Sequence, residues 1–114
     1  MSLDFSLVYD ADFLGAKEDV EVVDLNITHN LGKMAKAAGV YDCLWRSGEN
    51  DFEVAEQIIP ILQSAIKDME ERPDYYKKFN HPSGWGDYDD FVPWLKDLLK
   101  SCENHPKSEI ISCV

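Results

Sequence analysis

The segment from Leu25 to Gly39, LNITHNLGKMAKAAG, contains the point at which the hydrophobic pattern changes from that of a strand to that of a helix. Before this point, apolar residues alternate with polar ones from Val23 to Ile27, as in a half-buried strand. After it, apolar residues recur at i, i+3, i+4 and i+7 from Leu31, and Gly39 stands where a helix C-cap belongs. The segment therefore predicts a strand that leads directly into a helix.

The same two periodicities predict the remaining strands. Residues 3–9 alternate at period two, and the polar stretch 10–19 separates them from the second strand at 20–28. We interpret this pair as an antiparallel hairpin with a long loop. The β-branched residues near the C-terminus, within 108–114, predict a third strand.

Further helices are predicted between the hairpin and the last strand. A short one is expected around 40–46, and a longer one at 53–71 that starts late or bends at Pro60, because proline lacks the N–H of a regular helix. Residues 74–90 are turn-rich. The last helix is expected at 89–103, with Asp89 or Asp90 as its cap and Pro93 in or beside its first turn.

This order predicts an α+β fold. The hairpin and the C-terminal strand would form a small antiparallel sheet, covered on one face by three to four helices, in a single domain of residues 1–114.

The charge balance excludes some classes of function. The chain has 22 acidic and 11 basic residues, a net charge of −11, so we expect no direct binding to nucleic acid. The sequence has no apolar run long enough to span a membrane, and we expect no signal peptide. Cys43, Cys102 and Cys113 share no paired spacing and are expected to be reduced, half-buried thiols. We therefore expect a soluble cytoplasmic protein, and the sequence leaves a homo-oligomer open.

Four polar residues, Asn26, Thr28, His29 and Asn30, form the first candidate site. Thr28 and Asn30 can cap the helix N-terminus, which would explain both without any ligand. His29 falls in helical register with Lys33 and Lys36 and away from the apolar stripe, so it is not expected in the core. Alternatively, the four side chains rim a pocket for an anion or a carbonyl.

Two further candidates contain tryptophan. Trp45 and Arg46 could offer a stacking surface and a cation, or Trp45 could be buried while Arg46 pairs with a surface carboxylate. Trp85 lies between two glycines that could present the indole outward, or it could plug the end of the core.

Signatures of enzymes and metal sites are absent from the sequence. We find no nucleophile elbow, zinc-protease motif or glycine-rich phosphate loop. His29, His81 and His105 are dispersed along the chain. We expect no cofactor and no catalytic residues.

Three ordered motifs carry a resemblance to a family. They are NITHNLGKMA at 26–35, AGVYDCLWR at 38–46 and SGWGDY at 83–88. In this the chain resembles a family of small proteins encoded by phages and prophages, mostly of unknown function. The chain departs from the family at two positions. It has Ser47 where the family has proline and Ser83 where the family has asparagine. The resemblance implies a phage-type source and one shared design for the three motifs.

Two hypotheses of function follow. In the first, the chain is a non-enzymatic phage accessory protein that binds a small polar or nucleotide-like ligand of the host, for counter-defence. The ligand would contact Arg46, one of the tryptophans Trp45 and Trp85, and the four residues of the polar junction, Asn26, Thr28, His29 and Asn30. If His29 serves only a ligand, His29→Ala should leave the melting temperature of the unliganded protein nearly unchanged. In the second, an acidic interaction protein occupies the basic surface of a host defence or nucleic-acid enzyme, through acidic runs at 17–24 and 87–90.

Overall fold

Alternating apolar residues place three strands in one antiparallel sheet. The computed structural model describes residues 2–9 and 20–113. Strand β1, Ser2–Tyr9, lies in the centre, with β2, Val20–Thr28, on one side and β3, Glu109–Cys113, on the other. The predicted strand pairing and third strand are confirmed, whereas the predicted loop at 10–19 lies outside the described residues.

Five α-helices occur in the described part of the chain. Their bounds are α1 Gly32–Ala38, α2 Tyr41–Trp45, α3 Ile59–Glu71, α4 Pro73–Lys77 and α5 Tyr88–Asn104. Short 3-10 turns lie at His29–Leu31, Gly48–Asn50 and Ala55–Gln57. The predicted α+β class is confirmed, and α4 is the helix that the sequence pattern did not predict.

The helices pack on one face of the sheet. Leu3, Phe5 and Leu7 of β1 point into the core and are fully buried. Asp4, between Leu3 and Phe5, lies on the opposite face and is exposed, as is its β2 partner Asn26. The period of two therefore separates a core face from an outer polar face.

Two of the helix prolines, Pro60 and Pro93, test where the sequence placed the helix starts. The predicted late start of the long helix is confirmed, since α3 begins at Ile59 and Pro60 falls in its first turn, where its missing N–H needs no partner. The prediction for Pro93 is wrong. Helix α5 begins at Tyr88, so Pro93 lies inside it. Asp87 holds the N-cap position, and the Asn80 side chain accepts the Tyr88 backbone N–H at 2.8 Å.

A glycine turn sets α2 beside α1. Gly39 has a φ of 84° and donates its N–H to the carbonyls of Ala35 and Lys36, which confirms the predicted C-cap. The chain reverses here, so that Tyr41 comes close to Gly32; a Cβ on Gly32 would lie 3.7 Å from the Tyr41 ring. This turn positions α2 for the contacts described next.

Candidate functional site

The polar junction between β2 and α1 has one residue that caps and one that reaches outward. Thr28 has an extended backbone, and its hydroxyl accepts the Asn30 N–H at 3.2 Å, so the capping interpretation is confirmed for Thr28. The Asn30 side chain does not cap. Its amide instead donates to the carbonyl oxygen of Trp85 at 2.8 Å, which attaches the 81–87 loop to the junction.

His29 is bonded to Trp45. The indole Nε1–H of Trp45 donates to Nδ1 of His29 at 2.7 Å. Because an indole N–H can only donate, Nδ1 must be the acceptor, and a neutral imidazole then carries its proton on Nε2. Nε2 has no partner among the described residues, and the buried side-chain nitrogen and oxygen atoms there are all paired, so Nε2 is open to solvent. His29 therefore presents an N–H donor at the surface.

Trp45 does not present a stacking face. It is only 7% exposed and stacks on Tyr41, with ring centroids 5.4 Å apart and an interplanar angle of 7°. The ammonium of Lys36 lies 4.6 Å from the centroid of the Tyr41 ring. Trp45 thus supports the site through its contact with Tyr41, and the half-buried Tyr41 ring is the one that borders solvent.

Arg46 is paired with a surface carboxylate, as one of the two interpretations predicted. Its guanidinium donates to Glu49 at 2.7 Å, and both side chains are more than half exposed. The hydrogen bond with Glu49, followed by that with the Tyr41 hydroxyl, raises the pKa of Arg46 above its ordinary value. Exposed ion pairs contribute only about 0–1 kcal/mol, so an anion can replace Glu49 at little cost.

These side chains line a groove with a volume of about 530 Å³, which we call the basic groove. Its lining consists of His29, Gly32, Lys33, Lys36, Tyr41, Trp45, Arg46 and Glu49. Three lysine or arginine residues face one carboxylate here, although the whole chain has twice as many acidic as basic residues. The groove is therefore a local reversal of the protein's charge.

The loop from residue 81 to residue 87 holds Trp85 away from the core. Trp85 is 74% exposed, so the interpretation that it plugs the core is wrong. Gly84 and Gly86 have φ values of 81° and 119°, which favour glycine. A Cβ on Gly86 would lie 2.9 Å from the Cβ of Asn30, so the loop packs closely on the junction. Trp85 is joined to the site through its backbone and not through its indole.

Asn26 lies apart from the other predicted site residues. Its side-chain amide donates to Asp4 at 2.6 Å and to Ser2 at 2.9 Å on the outer face of the sheet. Its carbonyl accepts the Trp94 indole N–H at 3.1 Å. Asn26 is therefore a structural residue of the sheet and does not line the basic groove, contrary to the expectation that it rims the same pocket.

The sequence-based site omitted three residues that line the groove, Lys33, Lys36 and Tyr41. A signal for the lysines was present, because His29, Lys33 and Lys36 are spaced i, i+4 and i+7 and so share one face of a helix. A signal for Tyr41 was present as well, because Tyr41 and Trp45 are spaced i and i+4 within the predicted helix at 40–46 and so can contact each other.

The cysteines and possible metal ligands do not form a second centre in the described residues. Cys43 and Cys102 are fully buried and Cys113 is exposed, so half-burial was wrong for each. Burial raises the pKa of Cys43 and of Cys102 to about 12, which disfavours the nucleophilic thiolate. No group of three or more potential metal ligands occurs in residues 2–9 and 20–113.

Comparison of the chain with models of protein families, with curated proteins and with solved structures gave no match. Within the described ranges, none of the helices combines the length and apolar character needed to cross a bilayer.

Proposed function

We propose that this chain is a non-enzymatic, phage-type accessory protein that binds a small, anionic, nucleotide-like ligand of the host in the basic groove and so sequesters it. The phage-type source rests on the resemblance of the three sequence motifs. The observation that supports ligand binding is the concentration of positive charge in one concave surface of a chain with a net charge of −11.

Without a bound anion, the clustered cations of the basic groove repel one another, which lowers the stability of the protein. Lys33 and Lys36 are three residues apart on α1, and like charges at this spacing destabilise a helix by a few tenths of a kcal/mol. The ammonium of Lys33 has no ion pair or hydrogen bond among the described residues. An anion would relieve this repulsion, with lysine ammonium groups as point charges and the Arg46 guanidinium as a planar donor.

Each remaining group has a role in the same interaction. The Nε2–H of His29 would donate to a ligand oxygen, and the Tyr41 ring and hydroxyl would border a base or sugar. Glu49 would be displaced from Arg46. The lining residues that the structure describes include no serine, threonine or cysteine, and the one carboxylate among them is held in an ion pair, which favours binding over catalysis.

A pair of double variants tests this proposal. Lys33→Ala with Lys36→Ala removes two groove charges, whereas Lys67→Ala with Lys100→Ala removes two exposed, unpaired lysines elsewhere and gives the same net charge. In calorimetric titrations with adenosine 5′-monophosphate and guanosine 5′-monophosphate, we expect the groove variant to lose at least about tenfold in affinity and the control to lose less than about threefold.

Two results would contradict the proposal. Equal losses in both double variants would show diffuse electrostatic attraction in place of a site. A failure of both nucleotides to bind the unaltered protein, under low-salt conditions that favour charge attraction, would remove the nucleotide-like ligand altogether.

The second candidate function, an acidic protein that occupies the basic surface of a host enzyme, is favoured by one observation. Asp89 and Asp90, in the first turn of α5, are exposed and have no ion pair among the described residues. Binding through them should weaken steeply with salt. Asp89→Asn with Asp90→Asn should then abolish capture of a basic partner, and nucleotide binding should not change.

A further inference from the structure

A second concave surface adjoins the basic groove. It has a volume of about 610 Å³ and lies between α1 and the segment that follows α4. We call it the loop cleft. It shares His29 and Lys33 with the basic groove, and the rest of its lining is Asn30, Lys78, Phe79, Asn80, His81 and Pro82.

Among the described residues, none that lines the loop cleft carries a carboxylate. The Lys78 side chain is exposed and has no ion pair or hydrogen bond among the described residues. In the described part of the chain, the two surfaces together contain four lysine or arginine residues and one carboxylate, Glu49, which belongs to the basic groove. The positive charge therefore continues from one surface to the other across His29 and Lys33.

His81, in the lining of the loop cleft, has one ring nitrogen bonded and the other free to donate, as His29 does. Nδ1 of His81 contacts the Ser83 hydroxyl at 2.7 Å and accepts the Ser83 backbone N–H at 3.2 Å. Because a backbone N–H can only donate, Nδ1 is the acceptor of that bond, and a neutral ring then has its proton on Nε2. Nε2 of His81 has no partner among the described residues. Each surface is thus bordered by an imidazole with an anchored Nδ1 and a free Nε2–H donor.

From this continuity we infer that the basic groove and the loop cleft are two subsites of one site, which binds a small molecule with two separated anionic groups, such as a nucleoside bisphosphate. One anionic group lies at Lys36 and Arg46, and the other at Lys78 and His81. Lys33 stands in the shared wall and serves both. The inference rests on the proposed function, because it assigns a ligand class to that same groove.

The chemistry of the lining fits a ligand of this kind. Phe79 and Pro82 give the loop cleft an apolar wall, against which a ribose or a base can pack. Once one anionic group is bound, the second binds as an intramolecular event with a high effective concentration. Two separated groups should therefore bind much more tightly than one.

The test compares adenosine 5′-monophosphate with adenosine 3′,5′-bisphosphate by isothermal titration calorimetry. For the unaltered protein we expect the bisphosphate to bind at least about tenfold more tightly than the monophosphate. Lys78→Ala should remove this advantage and leave the monophosphate affinity within about twofold. Lys77→Ala is the matched control, because it removes the same charge one residue away from the cleft and should leave both affinities within about twofold.

The outcomes separate this inference from the proposed function. If both nucleotides bind the unaltered protein with equal affinity, the loop cleft is not a subsite and only the basic groove remains. If Lys78→Ala weakens the monophosphate as much as the bisphosphate, the division into two subsites is wrong. If neither nucleotide binds, the inference and the proposed function both fail.

Discussion

Replacement of His29 by alanine should destabilise the unliganded protein, because the indole N–H of Trp45 would lose its acceptor. This donor belongs to a side chain that is only 7% exposed. An unsatisfied buried donor costs about 1–3 kcal/mol in the free energy of unfolding. For a chain of 114 residues, this corresponds to a decrease of about 4–12 °C in melting temperature. The structure thus replaces the sequence-based expectation that His29→Ala would leave the melting temperature nearly unchanged.

His29→Asn provides the matched control. Its side-chain oxygen can take the place of Nδ1 and accept the Trp45 N–H, but the side chain has nothing at the position of Nε2. We expect His29→Asn to recover at least half of the stability that His29→Ala loses. The double variant His29→Ala with Trp45→Phe should lose less than the sum of the two single variants, by about 1 kcal/mol, since the two residues interact directly.

The assay is urea unfolding followed by far-UV circular dichroism, which does not depend on tryptophan fluorescence. The coupling between the two residues follows from the free energies of unfolding of the unaltered protein, His29→Ala, Trp45→Phe and the double variant. If His29→Ala and His29→Asn are both within about 0.5 kcal/mol of the unaltered protein, or if the double variant is additive, the hydrogen bond does not anchor the imidazole and the assigned tautomer loses its basis.

Three further predictions concern the loop, the ion pair and the thiols. Gly86→Ala should destabilise the fold by about 1–3 kcal/mol in urea unfolding, because of its positive φ and close contact, whereas Gly48→Ala, with open space around it, should change stability little. Glu49→Gln should raise nucleotide affinity about two- to fivefold in calorimetry, because it frees the paired guanidinium. Burial raises the pKa of Cys43 and of Cys102 to about 12, from about 9 in the unfolded chain, so the free energy of unfolding should fall as pH rises above 9. The slope should reach about 1.4 kcal/mol per pH unit for each thiol, and Cys43→Ala should remove one thiol's share in urea unfolding at pH 8 to 10.

The elements that the sequence predicts correctly are those set by local periodicity. The alternation around Phe5 and the helical spacing from Leu31 each fix which side chains can share a core face. The Gly39 cap and the first-turn position of Pro60 follow from backbone sterics alone. These constraints act within a few residues, and a single sequence contains them in full.

The errors occur where distant residues decide the local structure. Helix α4 begins with Pro73 and is held by Tyr76, which is buried in the core, although its neighbourhood is rich in turn-forming residues. The start of α5 depends on the Asn80 side chain, eight residues before the N–H that it accepts at Tyr88. Local propensity does not reveal a cap supplied from such a distance, and so Pro93 was placed too near the helix start.

For the candidate site, the sequence identifies the chemical groups better than their partners. His29 and Arg46 were expected to share a hollow, and both line the basic groove. The stacking of Trp45 on Tyr41 pairs residues i and i+4 of α2, a local spacing that the sequence-based interpretation of Trp45 did not take into account. Because the Tyr41 ring covers it, the indole supports the basic groove and does not offer a stacking surface.

The structural and the functional interpretations of His29 concern different atoms of one ring. Nδ1 is used by the Trp45 hydrogen bond, which belongs to the fold, and this bond leaves the proton on Nε2, which faces solvent. The structural bond therefore selects the tautomer that can donate to an anion. His29→Asn should therefore retain much of the stability and lose the affinity for nucleotides. If His29 had only a structural role, the same variant would retain both the stability and the affinity.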